Sequence, residues 1–214
     1  TFETAGNTIS ADDIEYLFKK YPNIKYLSEV MNFPGVLSKD PDMMAKIALA
    51  KKYKKKIDGH APNLRGAAAK QYIDEGISTD HECFTLEEAL DKLMYGMKII
   101  IREGSAAKNY EALIPLLETY SDRLMFCSDD KHPNDLAVGH INELVKRSVK
   151  RGLNVMDVLR VASLNPIKHY GLDVGLLQVG DAADMVVVNN LTDFEVESTY
   201  TVSYTHLRAH ETET

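Results

Sequence analysis

The strongest constraint on the fold is a repeated alternation between short apolar runs and segments with helical start and stop signals, which covers residues 12–162. The apolar runs predict strands at residues 24–27, 56–58, 77–79, 98–101 and 124–127. Successive runs lie about 20 to 35 residues apart, which is the spacing of βα units joined by right-handed crossovers. The sequence therefore predicts an α/β fold built on a parallel sheet.

Capping residues mark the helices between these runs. Asp40 precedes Pro41, and a proline is tolerated in the first turn of a helix because its missing N–H would have no partner there. Thr85 and Glu88 have the spacing of a capping box, and Gly96 stands where the helix they begin would end. These signals predict helices between the strands, as the βα pattern requires.

Four polar motifs overlap or follow the ends of predicted strands. They are residues 28–32 (Ser-Glu-Val-Met-Asn), 58–62 (Asp-Gly-His-Ala-Pro), 79–82 (Thr-Asp-His-Glu) and 127–130 (Cys-Ser-Asp-Asp). The carboxyl ends of parallel strands form the rim of a βα-barrel where catalytic groups converge. The candidate ligands are Glu29, His60, His81 and Asp129. Two imidazoles and two carboxylates on one rim would suit a metal site.

Each candidate also has a simpler interpretation when it is taken singly. A lone histidine beside a Gly-Pro loop, such as His60, is usually a hydrogen-bonded loop residue. Glu82 could transfer protons beside a metal, and it is equally compatible with an exposed loop carboxylate. Four candidates at matching positions of successive units favour a common site over four unrelated loop residues.

Other catalytic motifs are not matched by this sequence. No second histidine follows His81 and Glu82 at the spacing of a metalloprotease helix. The zinc signature of nucleobase deaminases, the phosphate-binding loop, the dinucleotide fingerprint and the nucleophile elbow are also missing.

The composition limits the kinds of binding partner and the cellular compartment that are expected. The formal charge is −7 and the pI is near 5.5, so the lysines at residues 51–56 are interpreted as the solvated end of a helix and no nucleic-acid partner is expected. No apolar run approaches the ~20 residues that cross a bilayer, and no leader opens the chain, so neither a membrane partner nor a signal peptide is expected. Two cysteines, Cys83 and Cys127, are too few for a disulfide framework and indicate a cytoplasmic protein.

The motifs resemble those of the adenine deaminases of the amidohydrolase superfamily, which are (β/α)₈-barrel enzymes. The resemblance covers roughly residues 1–196. Residues 3–6 are similar to the stretch after that family's third strand, and the segments similar to its fourth to eighth strands are residues 27–36, 58–62, 78–82, 102–109, and 128–133 with 139–142. The co-occurrence of Glu-Val-Met-Asn, Thr-Asp-His-Glu and Ser-Asp-Asp-Lys-His-Pro makes the resemblance specific.

The resemblance implies a role for each candidate residue. Glu29 would bridge two metal ions, His60 and His81 would ligate one of them, and Asp129 would bind the other and act as the catalytic base. Glu82 would shuttle protons. The implied cofactor is a binuclear Mn²⁺ or Fe²⁺ centre. The implied reaction is the hydrolytic deamination of adenine, a small purine base, to hypoxanthine and ammonia in purine salvage, by an enzyme expected to be a homo-oligomer when intact.

The resemblance also implies a domain organisation. Residues 1–170 would be the C-terminal portion of a (β/α)₈ TIM-like catalytic barrel, and residues 171–200 would begin a small β-sandwich domain with strands at 174–177 and 184–188. Residues 201–214 would be a tail outside the family, and within it residues 204–214 resemble sequencing read-through and are expected to have no structure.

The family's first strand carries a His-x-His ligand pair, which is expected to lie in a missing part before Thr1, where residues 1–6 look like the end of a strand entering a loop. The 214-residue chain is therefore expected to be poorly soluble and inactive by itself. Two other functions stay open at this point: a cyclic amide hydrolase of the same superfamily, and a scaffold remnant without catalysis.

Overall fold

A computed structural model describes residues 6–201 and 204–206, and the chain divides into two compact units. The first unit consists of residues 1–101 and 111–113, and the second of residues 102–110 and 114–214. The expectation of a strand end at residues 1–6 falls almost wholly outside the described residues.

The first unit is built from βα repeats. Its elements are α1 (Ala11–Lys20), β1 (Tyr26–Val30), α2 (Phe33–Leu37), α3 (Pro41–Lys52), β2 (Lys56–Gly59), α4 (Gly66–Asp74), β3 (Thr79–Asp80), α5 (Leu86–Met94) and β4 (Lys98–Arg102), whose last residue is assigned to the second unit. The strands lie in the order β1-β2-β3-β4, and each neighbouring pair is parallel. The predicted α/β repeat with a parallel sheet is confirmed in this unit.

Two strands differ from their predicted bounds. The first was predicted at residues 24–27, but β1 begins at Tyr26, which pairs with Lys56, and continues to Val30, which pairs with Gly59. The third was predicted at residues 77–79, but β3 consists of Thr79–Asp80. The bounds of a strand are set by the residues that pair with the neighbouring strand, whereas an apolar run in the sequence indicates only which residues are buried. Glu29 therefore lies inside β1 and not after it.

A buried apolar cluster holds the helices of the first unit against the sheet. Its members are Ile14, Phe18, Val30, Val36, Ile47, Ala50, Ile57, Ala61, Leu64, Ala69, Tyr72, Ile77 and Met97. Burial of such side chains is the main favourable term in folding, at about 25 cal/mol per Å² of apolar surface. Asp40 begins α3 as predicted, because its carboxylate accepts the backbone N–H of Met43.

The second unit combines one strand of the βα pattern with helices and a small sheet. After α6 (Tyr110–Leu113), which begins in this unit, its elements are α7 (Leu117–Tyr120), β5 (Leu124–Cys127), α8 (Pro133–Val138), α9 (Ile141–Lys150), α10 (Val155–Leu159), α11 (Asn165–Tyr170), β6 (Met185–Val188), β7 (Val196–Thr201) and β8 (Tyr204–His206). The last three strands form an antiparallel sheet in the order β6-β7-β8.

Two expectations for this region are wrong. Residues 174–177 do not form a strand: the backbone N–H groups of Gly175 and Leu176 donate to the side chains of Asp184 and Asp181, so they are not available to a neighbouring strand. Residues 204–214 were expected to have no structure, but Tyr204–His206 form β8. Antiparallel pairing needs backbone groups and not a particular sequence pattern, which is why the pattern did not predict β8. The rest of that tail lies outside the described residues.

Within the described ranges, none of the helices is long and apolar enough to cross a membrane.

Candidate metal centre

Three of the four predicted ligands meet in the first unit, at the carboxyl ends of neighbouring strands. Glu29 is the penultimate residue of β1, His60 follows β2 directly, and His81 follows β3 directly. The Oε2 atom of Glu29 lies 2.8 Å from Nδ1 of His60 and 3.0 Å from Nε2 of His81. The two imidazole rings are 5.3 Å apart between centroids and nearly perpendicular. One carboxylate oxygen is therefore placed between two imidazoles on adjacent strands.

This geometry shifts the ionisation of the carboxylate and of one imidazole. The hydrogen bonds from His60 and then from His81 lower the pKa of Glu29 from 4.5 to about 2. Burial by itself would lower the pKa of His81, but the hydrogen bond to Glu29 and the charge of that carboxylate outweigh it, so the pKa of His81 is raised above 6.5. Glu29 is consequently an anion across the physiological range, as a metal ligand must be.

Glu82 joins the same group from the loop after β3. Its side chain is 7% exposed, and its Oε1 atom lies 3.5 Å from Nδ1 of His60 and 3.4 Å from Nε2 of His81. The interpretation of Glu82 as an exposed loop carboxylate is therefore wrong. A second carboxylate beside both imidazoles is placed where it can accept or deliver a proton.

The backbone at His60 is fixed by Tyr72, which the sequence did not single out, and by Gly59 of the motif at residues 58–62. The buried Tyr72 hydroxyl, on α4, donates to the carbonyl of Val30 (2.7 Å) and accepts the backbone N–H of His60 (3.1 Å). Gly59 lies so close to β3 that a Cβ atom there would stand 2.4 Å from the carbonyl oxygen of Thr79. The Asp-Gly-His motif thus needs a glycine for close approach, and a tyrosine distant in sequence completes it.

The expected capping box on α5 is only half present. Thr85 accepts the backbone N–H of Glu88 as predicted (3.2 Å). The carboxylate of Glu88 instead accepts backbone N–H groups from Asn63 (2.8 Å) and Phe84 (3.1 Å) and pairs with Lys92 (2.8 Å). A local motif predicts a local partner, and here the loops around the two histidines supply closer partners for this buried carboxylate.

Asp129 lies in the second unit, two residues after β5. Its φ of 53° is in the left-handed region, which is uncommon for a residue other than glycine, and such backbone conformations cluster at functional sites. Its Oδ2 atom is 2.5 Å from Nη1 of Arg102, a buried residue at the end of β4. Asp130 is exposed, so the two adjacent carboxylates have different environments.

The loops that carry the seventh-strand and eighth-strand motifs are linked to each other in the second unit. The backbone N–H of Ser105 donates to the carbonyl of Asp130 (2.9 Å), and the Ser105 hydroxyl accepts the backbone N–H of His132 (2.8 Å). Ser105 also donates to the carboxylate of Asp135. These bonds order the segment that carries Asp129.

The donor set of the first unit fits a divalent metal ion. Glu29, His60 and His81 each offer one ligand atom, and these atoms all lie within 4.8 Å of one another. Imidazole and carboxylate together suit Mn²⁺, Fe²⁺ and Zn²⁺, whereas a soft thiolate ligand is not part of this group.

A family model described as the amidohydrolase family matches residues 8–205. With parallel βα repeats and a carboxylate between two imidazoles at the strand ends, the chain belongs to the amidohydrolase family.

Adenine deaminases are among the curated relatives. The chain is 63% identical over 199 residues to the adenine deaminase of Sulfurovum sp., and the match covers 93% of this chain and 37% of that protein. It is 50% identical over 200 residues to the adenine deaminase of Methanosarcina mazei, and the match covers 93% of this chain and 36% of that protein. The chain thus spans little more than a third of the length of these relatives.

Solved structures show the same fold at low identity. A β-aspartyl dipeptidase from Fervidobacterium islandicum superposes with a TM-score of 0.61 at 17% identity, covering 81% of this chain and 52% of the other. An enamidase superposes with a TM-score of 0.59 at 14% identity, covering 80% of this chain and 53% of the other. The prediction of a partial TIM-like amidohydrolase barrel is confirmed at the level of the fold.

Proposed function

We propose that this protein is a metal-dependent hydrolase that converts adenine and water to hypoxanthine and ammonia. The observation that carries the proposal is the Glu29–His60–His81 group, whose oxygen-to-nitrogen distances are 2.8 and 3.0 Å, in a chain 63% identical to an adenine deaminase. The three residues come from adjacent parallel strands, so the group is a property of the fold and not of one loop.

Each site residue has a proposed part in the reaction. Glu29, His60 and His81 would hold a divalent cation, and Asp129 would supply a further metal-binding carboxylate. When bound, Mn²⁺ or Fe²⁺ would lower the pKa of water and polarise the ring carbon that is attacked. Asp129 takes the proton of the attacking water, and Glu82 carries a proton to the purine ring or to the departing amine.

The environments of the two carboxylates suit these different tasks. Glu82 is almost fully enclosed and lies about 3.5 Å from both imidazoles, so it can exchange a proton beside the ligands without leaving its place. Asp129 is only partly buried and lies on a loop held by Ser105, so water can reach it. The ion pair with Arg102 holds the Asp129 carboxylate in place after the end of β5.

We also propose the domain organisation, the oligomeric state and the cellular location of the intact enzyme. Residues 1–170 belong to the catalytic barrel, and residues 171–200 begin a second, β-rich domain, which the β6-β7 pairing supports. The substrate is a free purine base in salvage, and the intact enzyme is a homo-oligomer. Two cysteines in the sequence are too few for a disulfide framework, which supports a cytoplasmic location.

The test is an assay of the complete product of the gene that encodes this chain. With Mn²⁺ added, we expect adenine to yield hypoxanthine and ammonia in equal amounts, and adenosine and a cyclic imide to yield neither product. Glu82→Gln should lower kcat by about 10²-fold or more, the usual contribution of a general acid or base. Glu87→Gln, an exposed glutamate on the first turn of α5, is the matched control and should leave kcat unchanged.

Two results would contradict the proposal. Hydrolysis of the cyclic imide without attack on adenine would make the protein a cyclic amide hydrolase. No turnover of any of the three compounds, with metal bound, would favour a scaffold without catalysis.

A further inference from the structure

Three charged side chains are buried together behind the loops that carry the two histidines. Lys92 and Glu88 on α5 are each 1% exposed, and Asp80 at the end of β3 is fully buried. The Lys92 Nζ atom lies 2.6 Å from Oδ2 of Asp80 and 2.8 Å from Oε1 of Glu88. A buried ion pair costs desolvation and often adds little net stability, so what this cluster contacts is more informative than its charge.

The cluster binds the backbone that follows His60. Lys92 donates to the carbonyl oxygen of Ala61, which is the next residue, at 2.7 Å. The Oε1 atom of Glu88 accepts the backbone N–H of Asn63 at 2.8 Å. Two members of the cluster therefore fix the loop that leaves the first histidine.

The same cluster binds the backbone on both sides of His81. Asp80 directly precedes His81, and its Oδ1 atom accepts the backbone N–H of Glu82 at 2.8 Å. The Oε2 atom of Glu88 accepts the backbone N–H of Phe84 at 3.1 Å. Since Glu88 divides its two oxygens between the two loops, α5 ties the loop of one histidine to the loop of the other.

We propose that Lys92, Glu88 and Asp80 are positioning residues that hold the His60 and His81 loops at the spacing that binds a metal ion. This inference rests on the proposed metal-dependent function. The three residues act through backbone groups of neighbouring residues. Apolar side chains of the same size would fill the space, but they could not accept the N–H groups of Asn63, Glu82 and Phe84.

The direct variant is Lys92→Met, which keeps the length of the side chain and removes its charge. It leaves Asp80 and Glu88 as buried carboxylates without their cation and can prevent folding. Glu88→Gln is the second variant, because it keeps the shape and one acceptor oxygen but offers an NH₂ group to one of the two loops. Leu93→Val is the control: it removes one methylene from the buried face of the same helix without changing any charge.

Three quantities are measured on the complete product of the gene that encodes this chain: the melting temperature, the Kd for Mn²⁺ by calorimetry, and the hydrogen–deuterium exchange of residues 60–64 and 81–85. In Glu88→Gln we expect faster exchange in both segments and a Kd raised about 10- to 100-fold, the usual effect of losing a residue that orients metal ligands. Leu93→Val should lower the melting temperature without either effect.

The outcomes separate this inference from the proposed function. An unchanged Kd and unchanged exchange in Glu88→Gln would overturn the positioning role, as would equal changes in Leu93→Val at an equal loss of melting temperature. If the wild-type protein binds no Mn²⁺, the proposed metal site is wrong. The exchange comparison then decides by itself whether the cluster orders the two loops.

Discussion

Glu29 accepts a hydrogen bond from each imidazole, and we predict that Glu29→Gln destabilises the metal-free chain in a pH-dependent way. In the folded chain the pKa of Glu29 is about 2, because of the hydrogen bonds from His60 and His81, against 4.5 ordinarily. A lowered carboxyl pKa contributes stability above pH 4.5, and this contribution is lost as the pH falls towards 2.

The pKa of His81 sets the upper limit of the pH range in which this interaction stabilises the chain. The pKa of His81 is raised above 6.5, so its interaction with Glu29 contributes fully below pH 6.5 and is lost as the pH rises through the raised value. Both conditions hold between pH 4.5 and 6.5. The difference in stability between wild type and Glu29→Gln should be largest in that range.

The structure also sets the size of the effect. A pKa lowered from 4.5 to about 2 corresponds to at most about 3.5 kcal/mol, at about 1.4 kcal/mol for each tenfold change in proton affinity. The Glu29 side chain is 34% exposed, so water screens both interactions and about 1 to 2 kcal/mol should remain. For a chain of this size that lowers the melting temperature by about 2 to 8 °C.

The assay is thermal unfolding followed by circular dichroism in EDTA from about pH 2 to about pH 8. Asp74→Asn is the matched control, because the Asp74 side chain is 58% exposed and pairs with Lys70 on the surface. The control should change stability by less than about 0.5 kcal/mol at every pH. A Glu29→Gln difference that is the same near pH 2 as near pH 5.5, or no larger than that of the control, would refute the reasoning.

Three further predictions follow from single contacts. In the complete gene product, Asp129→Asn should abolish adenine turnover while the exposed Asp130→Asn retains most of it, and the reverse order of kcat values would overturn the assignment of the base. Gly59→Ala should lower the free energy of unfolding, measured in urea, by about 1 to 3 kcal/mol, because its Cβ atom would stand 2.4 Å from a carbonyl oxygen. An unchanged urea midpoint would contradict that close approach. Burial raises the pKa of the Cys83 thiol, so iodoacetamide should label the less buried Cys127 first, and equal labelling rates would be the contrary result.

The sequence was sufficient to predict the βα repeat and the candidate ligands. Apolar runs at regular spacing require a parallel sheet, and the residues that follow such strands must lie on one edge of it. This is why His60 and His81 could be predicted as neighbours, and why Glu29 could be added from the motif around it. Those inferences depend on period and order along the chain, which a sequence displays directly.

Tertiary structure alone decided what holds these residues in place. Glu88 has the spacing of a helix cap, but its carboxylate turns to Asn63, Phe84 and Lys92, because a buried charge takes the nearest available donors, wherever they lie in the sequence. Tyr72 likewise reaches His60 from a helix 12 residues further on. Such contacts depend on which side chains meet once the chain has folded, and no local pattern encodes that meeting.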